Sequence, residues 1–253
     1  MMTRDLASLR AKDAAIAGGK AVALGELIQK GMPVPPGFVV TTEAFEQSPK
    51  GEIPADVQEE ILAAFDDLGA EFVAVRSSAT VEDAAGASWA GQFETKLNVT
   101  RGDLLVQIKN CWASISSPRA DAYRSTMKSS TPLSMAVLIQ KMIPAEISGV
   151  TFTVHPVTGD SNHLVIEATK GLGERLVSGT VTPDAFVVDK RDGQMISSSG
   201  QTLSPQQIKE LFVFCERIER DAGFACDIEW AFADNKFFIL QNRPITAYGH
   251  PRH

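Results

Sequence analysis

The chain has 253 residues, 44% of them hydrophobic and 22% charged, enough to bury a substantial core as one large domain or two small ones. A net charge of −7 argues against a broad surface for nucleic acid or anionic membrane, yet leaves room for a small anionic ligand held by local cations or a metal. No apolar run approaches the roughly 20 residues that cross a bilayer. The N-terminus Met1-Met2-Thr3-Arg4-Asp5 has no apolar signal region, and Cys111, Cys215 and Cys226 stand far apart in apolar contexts. The expectation is a cytoplasmic protein with reduced core thiols.

Gly18-Gly19-Lys20 opens a helical pattern, apolar at Val22, Leu24, Leu27 and Ile28, which Gly31 is placed to end. Pro33, Pro35 and Pro36 force an extended connection into a strand over residues 38–41, and Thr42 is positioned to cap the next helix. Val57, Ile61, Phe65 and Leu68 recur at helical spacing. Residues 72–76 form a short strand feeding a loop of small residues from Ser77 to Gly91; 93–99 alternates as another strand, and 104–115 is helical. Further strands are predicted over 135–142, 148–154 and 163–168. A hairpin of 184–189 with 194–196 turns at Arg191-Asp192-Gly193. Ser204-Pro205 caps and starts a helix running to about residue 221. Helices cluster in the first half and antiparallel strands in the second, which predicts α+β rather than a doubly wound parallel sheet.

The last predicted pair, 226–232 and 237–244, alternates on both sides of Ala233-Asp234-Asn235-Lys236. A three-residue loop of Asp234, Asn235 and Lys236 sets Glu229 opposite Gln241 and Asp227 opposite Arg243. Ile228, Trp230, Phe232, Phe238 and Leu240 then share the other face. A two-residue loop without a compensating bulge would split Glu229 from Gln241. The clean apolar sorting favours the three-residue register. Its acid, amide and arginine face suits a metal-nucleotide.

Each candidate has a plainer alternative. Arg76-Ser77-Ser78-Ala79-Thr80, where a strand ends in a loop of small hydroxyl residues, presents donors to phosphate or is simply a solvated loop; on residue types alone the two readings balance. It is not a Walker loop, because no Gly-Lys-Ser/Thr follows at the needed spacing. Taken singly, Lys20 is a solvated first-turn lysine and the Asp227–Arg243 pair an exposed ion pair worth less than about 1 kcal/mol. Together they acquire the character of an anion site. His155 reads as a structural turn histidine.

The motifs Gly18-Gly19-Lys20, Leu24-Gly25-Glu26-Leu27 and Gly31-Met32-Pro33-Val34-Pro35-Pro36-Gly37-Phe38 come first in an ordered set. Residues 75–82 follow, then Ala87-Ser88-Trp89-Ala90-Gly91-Gln92, Ser148-Gly149-Val150-Thr151-Phe152-Thr153, residues 167–173 and residues 227–246. In this order they resemble the phosphoenolpyruvate synthase and pyruvate phosphate dikinase family over essentially the whole chain. The resemblance implies an ATP-grasp-type α+β fold whose two lobes hold ATP and magnesium between them. The lobes would be residues 1–133 and 134–247, followed by a tail at 248–253.

By motif position the resemblance implies that Lys20 and Arg76 hold phosphates and that Gly91 and Thr95 belong to the glycine-loop strand. Gln140 falls near the adenine and ribose, Glu229 and Gln241 bind magnesium and phosphate oxygens, and Arg243 sits at the transferring phosphate. Lys20, Arg76 and Arg243 are the implied catalytic cations. Ala21 stands where the family usually has glycine. The Lys20–Arg76 and Gln140–Glu229 intervals are short for the family. The family's histidine-bearing mobile domain and its pyruvate-binding barrel have no counterpart in the sequence. The implied activity is an ATP-dependent, dikinase-type phosphotransfer from Mg-ATP to a histidine on a separate carrier protein. A stand-alone kinase or ligase acting on a small acceptor, a non-catalytic ATP-binding module, and a piece of a longer enzyme remain open alternatives.

Overall fold

The computed structural model describes residues 1–79, 95–114, 134–173 and 179–245. The chain divides into two compact units, Met1–Lys30 with Pro35–Met142, and Gly31–Val34 with Ile143–His253. Both combine helices with an antiparallel sheet, so the α+β expectation holds.

The first unit is built on five strands: β1 (Thr3–Asp5), β2 (Gly37–Val40), β3 (Val73–Ala79), β4 (Thr95–Val99) and β5 (Met135–Lys141), in the order β1-β2-β5-β3-β4. Its helices are α1 (Ala14–Ala17), α2 (Gly19–Gln29), α3 (Thr42–Glu46), α4 (Ala55–Leu68) and α5 (Leu104–Ser114). Strand alternation sends Val73, Val75, Val137 and Ile139 into a core with Ile61 and Phe65 of α4 and Ile108 and Trp112 of α5. Arg76, Ser78 and Gln140 are buried as well, at the alternate positions of the same strands. Gly18, the residue before α2, has φ +76°, and a Cβ there would lie 2.2 Å from the Ser78 carbonyl oxygen; only glycine fits.

Two expectations shift, and two short elements join the fold. Thr41, not Thr42, occupies the cap position before α3. Residues 135–141 belong to the first unit's sheet between β2 and β3, whereas the sequence reading placed 134–142 with the second lobe. The physical reason is burial: residues 135–140 are buried at every position, as a central strand covered on both faces requires. Strand β1 and α1 escaped notice because three or four residues carry no measurable period.

The second unit carries β6 (Ile147–Phe152), β7 (His163–Lys170), β8 (Asp184–Asp189), β9 (Met195–Ser198), β10 (Cys226–Ala233) and β11 (Lys236–Pro244), ordered β11-β10-β6-β7-β8-β9. Helix α6 (Pro205–Ala222) begins as expected, with a capping box between Ser204 and Gln207 and proline in its first turn. It stops at Gly223 in the left-handed region and buries Ile208, Leu211, Cys215 and Ile218. Trp230 is 1% exposed and donates its indole N–H to Thr151 Oγ1 at 3.0 Å. Gly149 makes room for it, since a Cβ there would lie 2.3 Å from the indole ring. Pro33 joins this unit by accepting the Ile239 N–H at 2.8 Å. Among the described residues, no helix is long and apolar enough to cross a membrane.

Candidate functional site

In the first unit, Lys20 lies in the opening turn of α2 and donates Nζ to the Ser77 carbonyl at 2.8 Å. One residue on, the Ala21 amide donates to Ser78 Oγ at 3.2 Å, so a hydroxyl on β3 caps one of the helix's orphan donors. Ala21 itself, at the position of the expected glycine, is fully buried. Arg76 is 6% exposed and donates NH1 to Gln140 Oε1 at 3.4 Å. Thr95 pairs with Arg76 across the β3–β4 ladder and is exposed. Lys20, Arg76, Gln140 and Thr95 are thus gathered around one length of β3. Gly91 lies outside the described residues, as does the rest of 80–94. A guanidinium held away from water is costly unless acceptors surround it. A phosphate would be such an acceptor.

In the second unit, the final hairpin turns in two residues, not three. Asp234 and Asn235 sit at φ 50° and 56°, and Ala233 pairs directly with Lys236. Two consecutive left-handed residues form the turn whose twist matches a hairpin, and Asp and Asn tolerate that conformation. Phe237 and Ile239, rather than Phe238 and Leu240, therefore join Trp230 and Phe232 in the interior. Phe237 meets the Trp230 ring edge-on at 5.4 Å.

The ladder then slips by one residue between Trp230 and Glu229, leaving Leu240 as the extra residue of a bulge on β11. Beyond it Glu229 pairs with Gln241 and Asp227 with Arg243, the expected partners reached by a different route. Across the sheet, one row runs Gln241, Glu229, Val150, Glu167 and the next Arg243, Asp227, Phe152, Val165. The Arg243 guanidinium forms an ion pair with Glu229 Oε1 at 2.5 Å, both side chains being partly buried. Glu167, a half-buried acid on the Glu229 face, was not among the candidates. Its signal was a single acid within the apolar run of 164–168.

The donor set suits a hard cation. Among the described residues there is no group of three or more His, Cys, Asp or Glu side chains that could enclose a metal. Magnesium asks for less, because it takes one or two protein oxygens and fills its remaining positions with water and substrate phosphate. Glu229 and Gln241 offer that pair.

Several polar groups of the second unit tie its loops and strands together. His155 Nδ1 accepts the Val157 and Thr158 amides, both at 3.3 Å, as a turn histidine would. His163 Nδ1 lies 2.7 Å from Asp160 Oδ2. Burial pushes the Cys226 thiol up to about 12 and raises that of Cys215 as well, so both are inert core thiols. Lys190 holds Glu219 and the Thr153 carbonyl, while Thr153 Oγ1 accepts the Cys226 amide at 2.8 Å and anchors the start of β10.

Residues 49–202 and 196–252 match the family model described as "Pyruvate phosphate dikinase, AMP/ATP-binding domain". A probable phosphoenolpyruvate synthase of Methanothermobacter thermautotrophicus is 36% identical over 308 aligned residues, covering 94% of this chain and 45% of that protein. The uncharacterized phosphotransferase YvkC of Bacillus subtilis is 34% identical over 278, covering 91% of this chain and 33% of its own. This chain thus spans less than half the length of either relative. Both alignments are longer than the 253-residue chain, so these relatives carry residues it lacks, in keeping with its short motif intervals. A crystal structure of PH1788 from Pyrococcus horikoshii Ot3 superposes with a TM-score of 0.49 at 15% identity, covering 94% of each chain. The chain belongs to the pyruvate phosphate dikinase and phosphoenolpyruvate synthase family, as an AMP/ATP-binding domain of α+β fold.

Proposed function

We propose that this chain binds Mg-ATP and passes a phosphoryl group to a histidine on a separate carrier protein. The observation that carries the reading is the face on which the β11 bulge sets Gln241 beside Glu229 and Arg243 beside Asp227. Lys20, Arg76, Gly91 and Thr95 of the first unit serve the phosphates. Glu229 and Gln241 of the second unit hold magnesium, which when bound neutralises charge on the phosphate oxygens. Arg243 serves the transferring phosphate, its guanidinium supplying donors to the phosphate oxygens. Gln140 contributes through Arg76, as argued below.

An imidazole nitrogen of the carrier attacks the phosphorus. The N–P bond forms as the bridging P–O bond breaks, and the electron pair departs on the nucleotide's phosphate oxygen. A separate carrier is favoured because His155 and His163, the two described histidines, are engaged in local hydrogen bonds.

The test is mass spectrometry of the protein incubated with Mg-ATP and small glycine-rich histidine proteins. Phosphohistidine on one of them with matching release of ADP, or pyrophosphohistidine with matching release of AMP, is expected; ATP bound but no partner modified sinks the carrier reading. Arg243→Ala should weaken Mg-ATP binding or transfer by about 1.5–3 kcal/mol, the worth of a charge-assisted hydrogen bond to phosphate. Lys20→Ala should lower phosphate affinity in the same calorimetric titration. Unchanged values would remove the residue concerned from the site.

A further inference from the structure

Resemblance alone sets Gln140 against the base and ribose, but its amide is already engaged. The side chain is 2% exposed. Its Oε1 accepts from Arg76 NH1 at 3.4 Å, and its Nε2 donates to the Pro35 carbonyl at 3.3 Å. These partners also fix which end of the amide is which. A guanidinium only donates and a carbonyl only accepts, so the reversed amide would face donor with donor and acceptor with acceptor. The β3–β5 register explains the meeting. Ala74 lies opposite Gln140 and Arg76 opposite Leu138, so Gln140 and Arg76 are diagonal neighbours on one face of the sheet. Gly37, opposite Gln140 on the other side, puts no side chain in the way.

We infer that Gln140 is a positioning residue: it holds the Arg76 guanidinium for the nucleotide's phosphates and does not read the base. To reach a base, the amide would have to abandon two hydrogen bonds and leave buried groups unsatisfied. Glutamine also suits the task by charge. A neutral acceptor orients the guanidinium without cancelling the positive charge that phosphate needs, whereas a carboxylate in its place would neutralise it.

This inference rests on the nucleotide-binding reading, and its test separates the two. The full chain is titrated calorimetrically with Mg-ATP and Mg-GTP, as wild type, Gln140→Met, Gln140→Glu, Arg76→Met and the Arg76→Met/Gln140→Met double variant. Wild type that binds neither nucleotide overturns the function itself. Given binding, Gln140→Met should lower Mg-ATP affinity about tenfold, the loss of one orienting bond to a charged group, while the ATP-to-GTP preference stays within about twofold of wild type. Gln140→Glu should likewise weaken ATP and leave the preference alone. In the Arg76→Met background, Gln140→Met should cost less than about twofold more, because the two residues act as one. A changed ATP-to-GTP preference in either single variant, or losses that multiply in the double, would overturn the inference.

Discussion

Asp189, at the end of β8, shows how one side chain ties this protein's stability to pH. Its Oδ1 accepts the Arg191 amide at 2.9 Å and the Arg191 Nε at 3.0 Å, and this guanidinium lowers its pKa from 3.8 to about 2. A carboxylate depressed by folding contributes stability that is fully present above its unfolded pKa and disappears as pH falls through the folded value. Between pH 3.8 and about 2, wild type should therefore lose stability that Asp189→Asn never had. Urea midpoints measured across that window should converge for the two proteins at its acid end. Parallel curves would show that the Arg191 contact adds nothing. Asp184 is depressed too, by the Thr202 hydroxyl, and sharpens the wild-type slope in the same direction.

At the scale of elements, the β10–β11 hairpin concentrates the chemistry. Its cross-strand partners were legible in the sequence because an acid, an amide and an arginine alternate with aromatics on both strands. The route to them was not. The apolar sorting favours a three-residue loop, yet a two-residue turn followed by a bulge reaches the same polar partners. Packing decided between them, since Phe237 rather than Phe238 meets the Trp230 ring. Asn235 holds φ 56° in that turn, a conformation that costs other L-residues about 1 kcal/mol or more and glycine nothing. Asn235→Gly should accordingly stabilise the protein by about 0.5 kcal/mol, after glycine's larger unfolded-state entropy is subtracted. Urea unfolding measures it, and a lowered midpoint would show that the asparagine side chain makes a contact worth more than the backbone relief.

For the whole molecule, ligand binding and stability are linked. A ligand that binds only the folded state at about a hundred times its Kd adds about 2.7 kcal/mol, which for a chain of this size raises Tm by about 5–10 °C. Mg-ATP should produce that shift. Chelating the metal, or replacing Glu229 with Gln, should remove the magnesium-dependent part. A shift of equal size without metal would take Glu229 and Gln241 out of the metal role.

By itself, the sequence determined the α+β class, most helices and strands, and the ordered motifs that place the chain in its family. It could do so because these depend on local period, caps and residue chemistry. Tertiary structure alone decided three things. It put residues 135–141 at the centre of the first unit's sheet, because a strand buried on both faces needs neighbours on both sides. It placed a bulge at Leu240, because aromatic packing set the turn and the polar pairs had to be recovered beyond it. It gave the Gln140 amide to Arg76 and Pro35, because only the β3–β5 register brings residues 64 positions apart within hydrogen-bonding distance.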